Sequence, residues 1–338
     1  MAEFPRFEYS GTQVRRAGEA LAGELVWTDE AAESIREIFK IANNWRDSHA
    51  YPMRKLRFEL LGQMKSQKLK GITVARLKRM ASIRRKLRNH TGKLHLIQDL
   101  AGCRAIVPAI GDVNALIGAM RQNSAHELFK EYDYINEPKP DGYRSHHMVF
   151  KFLGQGDDEV YNGRRIELQI RTRLQHSWAT AVEAVGLFRR EDMKAGQGDP
   201  DWLRLFQLMS HEFAFAEGWS GDQSRRIREI RELDKRLMAA NTLENLSQAV
   251  RFTESYVSDP HSKSEYYLIR YNNADNTVSI EPHTGAIGGV RAYDRAAAPG
   301  NESGSNNINT VLVEVDKIEN LKEAYPNYFG EVQLFKKN

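Results

Sequence analysis

Eight residues, Arg165-Ile-Glu-Leu-Gln-Ile-Arg-Thr172, limit the fold more than any others: apolar Ile166, Leu168 and Ile170 alternate strictly with Glu167, Gln169 and Arg171. A period of two marks a strand with one core face and one polar face. A solvated antiparallel sheet gives the same pattern, whereas a carboxylate beside an arginine could instead bind metal and accept a hydroxyl proton. The surrounding text alternates between strand and helix. Strands are expected at 72–75, 102–107, 126–134, 145–153 and 164–170, with a helix at 112–121. Thr28 can cap a helix over 29–46, and Pro52 suits the first turn of another that runs to about 66. A basic helix follows at 78–88. Beyond the strand, Leu174, Trp178, Ala181 and Val185 mark one face of a helix, and more helices are expected at 200–218, 224–240 and 242–257. The fold class is α/β, a mixed β-sheet with flanking helices.

After Pro260 the character changes to short strand-like runs at 266–271, 277–281, 290–293 and 311–315. A polar loop at 297–309, a short helix at 317–324 and a closing run at 332–335 complete this part. The expected division is a helical N-terminal segment (1–50), an α/β domain (51–220), a helical connector (221–261) and a small β-rich domain (262–338). In 338 residues, 41% of them apolar, one large and one smaller domain are expected, not disorder. Cys103 is the only cysteine, which excludes an intrachain disulfide and any multi-cysteine zinc site. No apolar run of membrane-spanning length occurs, and the first ten residues lack a signal-peptide pattern, so a cytoplasmic protein is expected.

Charge is unevenly spread. From residue 60 to 98 there are eleven Lys or Arg and no Asp or Glu, while 259–338 holds eight basic and eleven acidic residues. A single-sign block is either a solvated face or a polyanion site for nucleotide phosphates or RNA. Within it, Arg76 and Lys78 are two apart and share a face if extended, with Ser82, Ile83 and Lys86 following. Asp99-Leu-Ala-Gly-Cys-Arg104 sets an acid ahead of a strand, where it can serve as a cap or hold Mg²⁺ against phosphates. In Lys139-Pro-Asp-Gly-Tyr-Arg-Ser-His-His147, the Pro-Gly turn would present Tyr143 outward, able to stack on a base. Lys139, Arg144 and His147 surround it.

The order and wording of these stretches resemble the RelA/SpoT synthetase family over about residues 50–220. The matching motifs are Arg76-x-Lys78 with Ser82-Ile83-x-x-Lys86, Asp99 to Arg104, Lys139 to His147, and Glu167 to Thr172. The resemblance implies pyrophosphate transfer from ATP to a ribose 3′-hydroxyl. Arg76 and Arg104 would sandwich the adenine, with Lys78, Ser82 and Lys86 also at the ATP site. Asp99 and Glu167 would hold Mg²⁺, and Glu167 would also activate the hydroxyl. Tyr143 would stack on the acceptor base, and Lys139, His147, Gln169 and Arg171 would complete the acceptor site. None of the ten histidines precedes an Asp, so the hydrolase domain of long alarmone enzymes is not expected, and a single activity is.

Two acceptors occur in that family, guanosine nucleotides (GDP/GTP) and the 3′-terminal adenosine of tRNA. The β-rich tail with Tyr325-Pro-Asn-Tyr328 resembles the CapRel group of fused toxin–antitoxins, whose pseudo-zinc-finger tail lacks metal ligands and inhibits the toxin in cis. Here the tail has no Cys and only His261 and His283, so no structural zinc is expected. The resemblance implies that Tyr325 and Tyr328 plug the ATP site until a phage major capsid protein releases them, in anti-phage defence. Residues 311–315 and 317–324 are the expected sensing surface, and a cut near 260 is expected to free the enzyme. Lys65, Lys68 and Lys70 are candidate tRNA contacts outside the ATP motif. The alternatives are an alarmone synthetase with a sensory tail and, from another class, a catalytically dead RNA- or capsid-binding protein.

Overall fold

The computed structural model describes residues 4–91, 93–189, 191–243, 251–252, 265–272, 277–297, 308–315 and 318–325. Helices α1 (Gly11–Ala22), α2 (Ala32–Asp47) and α3 (Ala50–Ser66) precede strand β1 (Ile72–Leu77) and helix α4 (Met80–Lys86). Next come β2 (Ala101–Val107), α5 (Ile110–Asn123), β3 (Glu127–Asp133), β4 (His146–Lys151) and β5 (Arg165–Thr172), then α6 (Arg173–Arg189), α7 (Pro200–Ala216) and α8 (Gln223–Leu237). The C-terminal part supplies β6 (Arg251–Phe252), β7 (Tyr266–Asn272), β8 (Thr277–His283), α9 (Ala286–Ala296), β9 (Ile308–Glu314) and α10 (Ile318–Ala324). Helix α1 lies within the N-terminal segment expected to be helical, and Ser10 and Gln13 form a capping box at its start.

Among the described residues, the strands make one mixed sheet in the order β3-β4-β5-β2-β1-β9-β7-β8-β6. Pairing is parallel for β2–β5 and β6–β8 and antiparallel elsewhere. The strands beyond 262 thus continue the sheet from the β1 edge and do not build a sheet of their own. One apolar cluster spans both parts. It joins Met53, Leu56 and Leu60 of α3 and Leu168 of β5 to Leu268 of β7, Val290 of α9 and Leu312 of β9. Burying each such side chain is worth ~1.5–3 kcal/mol, so a cut near 260 removes part of the core with the tail.

Two polar contacts reinforce this docking. Arg57 of α3 (2% exposed) pairs with Glu314 of β9 (1% exposed) at 3.2 Å, and Arg54 also approaches Glu314, at 3.6 Å. Arg46 binds Asp47 and Asp294, with its guanidinium 4.4 Å from the centroid of the Tyr293 ring. The Tyr293 hydroxyl in turn accepts the Met80 N–H at the start of α4.

Residues 290–293, expected as a strand, lie in α9. Their buried neighbours Ala286, Gly289, Val290 and Tyr293 recur at helical spacing. Gly289 is there because a Cβ would sit 3.0 Å from Leu312 and 3.3 Å from Tyr266. The expected helix at 242–257 is interrupted, since Arg251–Phe252 pairs with Thr277 and Val278. The closing run expected at 332–335 and Tyr328 lie outside the described residues.

Candidate active site

Alternation and register together build the site. On the sheet face opposite α3 and α5, one row of neighbours reads Val313, Arg76, Gly102, Glu167, Val149. The next row reads Val74, Arg104, Gln169, His147, Tyr132. Gly102 keeps the floor bare between Arg76 and Glu167, and a Cβ there would meet the Glu167 carbonyl at 3.3 Å. A cavity of about 80 Å³ opens over these rows, and its walls include Arg76, Lys78, Asp99, Arg104, Glu167 and Tyr325. A larger one, about 600 Å³, lies beside it past Lys78, Ser82, Arg85, Lys86 and Glu183.

Charges in the site are tightly paired. Asp99 accepts from Lys78 at 2.8 Å and from Lys86 at 2.9 Å. Burial pushes its carboxyl up, but the two ammonium groups outweigh this and bring it to about 2. Glu167 accepts from His147 Nδ1 at 3.0 Å and from Gln169 Nε2 at 2.7 Å. Burial raises its carboxyl, and His147 overcomes this and holds it below its ordinary range. Burial disfavours the His147 imidazolium, yet Tyr143 and Glu167 raise it to about 9. The Tyr143 hydroxyl meets His147 Nε2 at 2.8 Å. Burial raises this phenol too, but the charges of His147 and Arg171 bring it down to about 8. Tyr143 is therefore half-buried against His147 and Trp178 and not presented outward. Its turn is closed by Gly142 at φ 93°, a left-handed conformation that glycine adopts without strain.

Tyr325 stands over the first of these residues. Its ring centroid is 5.8 Å from the guanidinium carbon of Arg76 and 5.8 Å from that of Arg104, and it is 3% exposed. The last carbonyls of α10 are held by the same wall: Arg104 donates to Ala324 O at 3.4 Å and His176 Nε2 donates to Glu323 O at 2.9 Å. Cationic and N–H donors at a helix C-terminus are favourable. Arg171 is buried and donates to His176 Nδ1. Burial and then Arg104 lower the Arg171 guanidinium to about 9.

Lys139 lies over the rings of Tyr134 (4.5 Å) and Tyr143 (5.1 Å). Lys65, Lys68 and Lys70 are exposed but sit before the start of β1. The site lies at the other end of that strand, roughly 20 Å away at ~3.3 Å per residue. Sequence reading missed Glu183, which pairs with Lys194 and faces Arg76 and Arg104; burial opposes its charge, and these cations hold it well below the carboxylate range. The signal was there: His176, Thr180 and Glu183 form a polar stripe on α6 at helical spacing. No group of three or more His, Cys, Asp or Glu able to hold a metal occurs among the described residues. No helix among them is long and apolar enough to cross a membrane.

Paired carboxylates and clustered cations on one sheet face can together hold phosphate groups and a divalent cation. Residues 75–192 match the family described as a region found in RelA/SpoT proteins. The GTP pyrophosphokinase of Escherichia coli (strain K12) is 28% identical over 185 residues, 53% of this chain and 24% of that protein. The GTP pyrophosphokinase YjbM of Bacillus subtilis (strain 168) is 34% identical over 111 residues, 31% of this chain and 51% of that protein. This chain thus spans about a quarter to a half of the length of these two relatives. Among solved structures, small alarmone synthetase 1 from Bacillus subtilis bound to its product pppGpp is similar, with 23% identity and a TM-score of 0.43. The alignment covers 54% of this chain and 93% of that one. Tyr325 and the strands β6 to β9 lie outside the family match.

Proposed function

We propose that the chain is a pyrophosphokinase that moves pyrophosphate from ATP to the 3′-hydroxyl of the tRNA 3′-terminal adenosine, which blocks translation, and that its C-terminal part restrains it. The observation that carries the restraint is the Tyr325 ring, which lies 5.8 Å from the guanidinium carbons of both Arg76 and Arg104, the pair that the resemblance assigns to the adenine. A planar ring between two guanidiniums is what such a slot binds. Lys78, Ser82 and Lys86 then face the donor phosphates, and Tyr143, Lys139, His147, Gln169 and Arg171 form the acceptor side.

Transfer of the pyrophosphoryl group from the bridging oxygen on the α-phosphate of ATP to a ribose hydroxyl oxygen, with AMP leaving and the hydroxyl proton taken up by a base, needs positioning and charge neutralisation, not a covalent nucleophile. Asp99 and Glu167 fit Mg²⁺: both are oxygen donors on one cavity, and the charge of Asp99 disfavours that of Glu167, a repulsion a cation would relieve. With one or two carboxylates and substrate phosphates as its usual ligands, the ion would neutralise phosphate charge. Glu167, kept ionised by His147, is the group placed to take the hydroxyl proton. Lys78 and Lys86, which bind Asp99 here, would turn to the phosphates.

By resemblance, the releasing partner is a phage protein, the major capsid protein, and the role is anti-phage defence. A second reading, synthesis of (p)ppGpp from ATP and GDP or GTP, is favoured by the names of the relatives, GTP pyrophosphokinases. The test is to incubate the full-length Tyr325→Ala protein with γ-labelled ATP and either tRNA or GDP, with Tyr325→Ala carrying Glu167→Gln as control. Label on tRNA 3′ ends, lost in Glu167→Gln, is expected. Label on GDP alone overturns the tRNA reading.

A further inference from the structure

The row of site residues does not stop at the acceptor side. Opposite His147 in the β3–β4 ladder is Tyr132, on the outermost strand of the sheet. Its ring lies parallel to that of Tyr134, with centroids 5.7 Å apart and planes 4° apart. Tyr134 in turn meets His147 edge-on at 5.2 Å and Tyr143 at 6.2 Å. Two exposed cations border these rings: Lys130 Nζ lies 5.8 Å from the Tyr132 centroid, and Lys139 Nζ 4.5 Å from that of Tyr134. Lys130 shares the site face with Tyr132, whereas Glu131 and Asp133 point to the opposite face. There Glu131 is bound by Arg121 and His146, and Asp133 caps the backbone N–H groups of Ile135 and Asn136. Tyr132 and Tyr134 are half-exposed and belong to none of the apolar clusters among the described residues.

We infer that Tyr132, Tyr134, Lys130 and Lys139 form a subsite for the nucleotide that precedes the acceptor, so that the site takes the single-stranded 3′ end of an RNA and not a free mononucleotide. This rests on the RNA-acceptor reading above. From Gln169 to Tyr132 is two strand spacings, ~10 Å, enough to carry the strand one nucleotide past the acceptor. Half-exposed aromatic rings bordered by lysines are the usual platform for unstacked bases and their phosphates. A mononucleotide bound against Tyr143, His147 and Lys139 leaves Tyr132 and Lys130 unused.

The test uses the full-length Tyr325→Ala chain with its donor site filled by a non-hydrolysable ATP analogue. Binding of adenosine 5′-monophosphate, the trinucleotide CCA and GDP is measured by calorimetry. CCA is expected to bind roughly tenfold more tightly than the mononucleotide, as one added stacked base provides. That gain should collapse in Tyr132→Ala and persist in Tyr132→Phe. Lys130→Ala should flatten the salt dependence of CCA binding by about 0.7 in log–log slope. CCA binding no tighter than the mononucleotide, or a gain that survives Tyr132→Ala, overturns the subsite while leaving the acceptor reading intact. If GDP binds and neither adenine ligand does, the acceptor reading fails and the subsite with it.

Discussion

Replacing Tyr325 with Ala should open the donor slot without unfolding the protein. Each guanidinium lies 5.8 Å from the ring centroid, near the outer reach of a cation–π contact, so each contributes about 0.5–1 kcal/mol. Burial of the ring adds ~2 kcal/mol. The variant keeps the carbonyl contacts to Arg104 and His176, and neighbouring contributions rarely add in full. A net loss of about 2 kcal/mol is therefore expected, which shifts the docking equilibrium by ~30-fold. A tail that is docked most of the time lowers apparent ATP affinity by its docked fraction, so the variant should bind an ATP analogue up to that much more tightly. Tyr325→Phe keeps the ring and should stay close to wild type. The assay is calorimetric titration of the full-length proteins, paired with growth on induction; Tyr325→Ala should be toxic and Tyr325→Ala with Glu167→Gln harmless. Equal ATP affinity in wild type and Tyr325→Ala would refute the plug.

A chain ending at Val315 should fold cooperatively and be active but melt below the full-length protein, because buried Leu321, Ala324 and Tyr325 leave the cluster they share with β1, β7 and β9, whereas one ending near 260 should be insoluble or lose its cooperative melting transition, because β7, β9 and α9 share the main core; calorimetric melts of both decide this. For His147 the sign is set by an imidazolium raised to about 9 from an ordinary 6.5. Its stabilisation is complete below about pH 6.5 and is lost as pH rises through the folded value. A Tyr143→Phe background removes the titrating phenol and with it part of what raises His147, but Glu167 still raises the imidazolium; the melting-temperature gap between that parent and its His147→Asn derivative should narrow as pH rises through a folded value lower than in wild type, and a constant gap contradicts the assignment. If Lys65, Lys68 and Lys70 bind tRNA, the triple Ala variant should show weaker tRNA binding and a flatter salt slope, by ~0.9 per lost contact on duplex. Unchanged binding would leave them as a solvated face.

Much of the site was legible because polar alternation in the Arg165–Thr172 strand fixes which side chains share a face. What the sequence could not display is register. Arg76 and Glu167 flank Gly102 only because β1 and β5 both pair with β2, one antiparallel and one parallel, and no local pattern encodes that. The tail misled for a related reason. Gly288-Gly289 before Val290 reads as a turn and a strand, yet Gly289 is small because α9 lies directly on Leu312 and Tyr266. Likewise, the strand-like runs after 262 carried no sign that they would extend the sheet from β1. Glu183 is hard to single out from sequence because the apolar face of α6 dominates its pattern.

On the proposed reading, the shared sheet decides how release can work. Withdrawing the whole C-terminal part would expose the β1 edge and leave buried Arg57 without Glu314, and breaking such a pair costs about 3–5 kcal/mol, apart from the apolar surface lost. Moving only α10 and Tyr325 leaves the Arg57–Glu314 pair and the β1–β9 pairing in place and gives up the packing of Leu321, Ala324 and Tyr325 against the cluster they share with β1, β7 and β9, the carbonyl contacts to Arg104 and His176, and the exposed Arg173–Glu323 ion pair. Arg104 cannot both face a donor base and contact the Tyr325 ring, so ATP and the tail compete through one side chain. Arg171, on the acceptor side, reaches the tail through His176 and the Glu323 carbonyl. An acceptor that draws Arg171 away loosens the hold of His176 on α10. By linkage, releasing α10 then favours acceptor binding by the same factor. A releasing partner therefore needs only to bind α10 more tightly when it is undocked, and the same event readies both substrate sides.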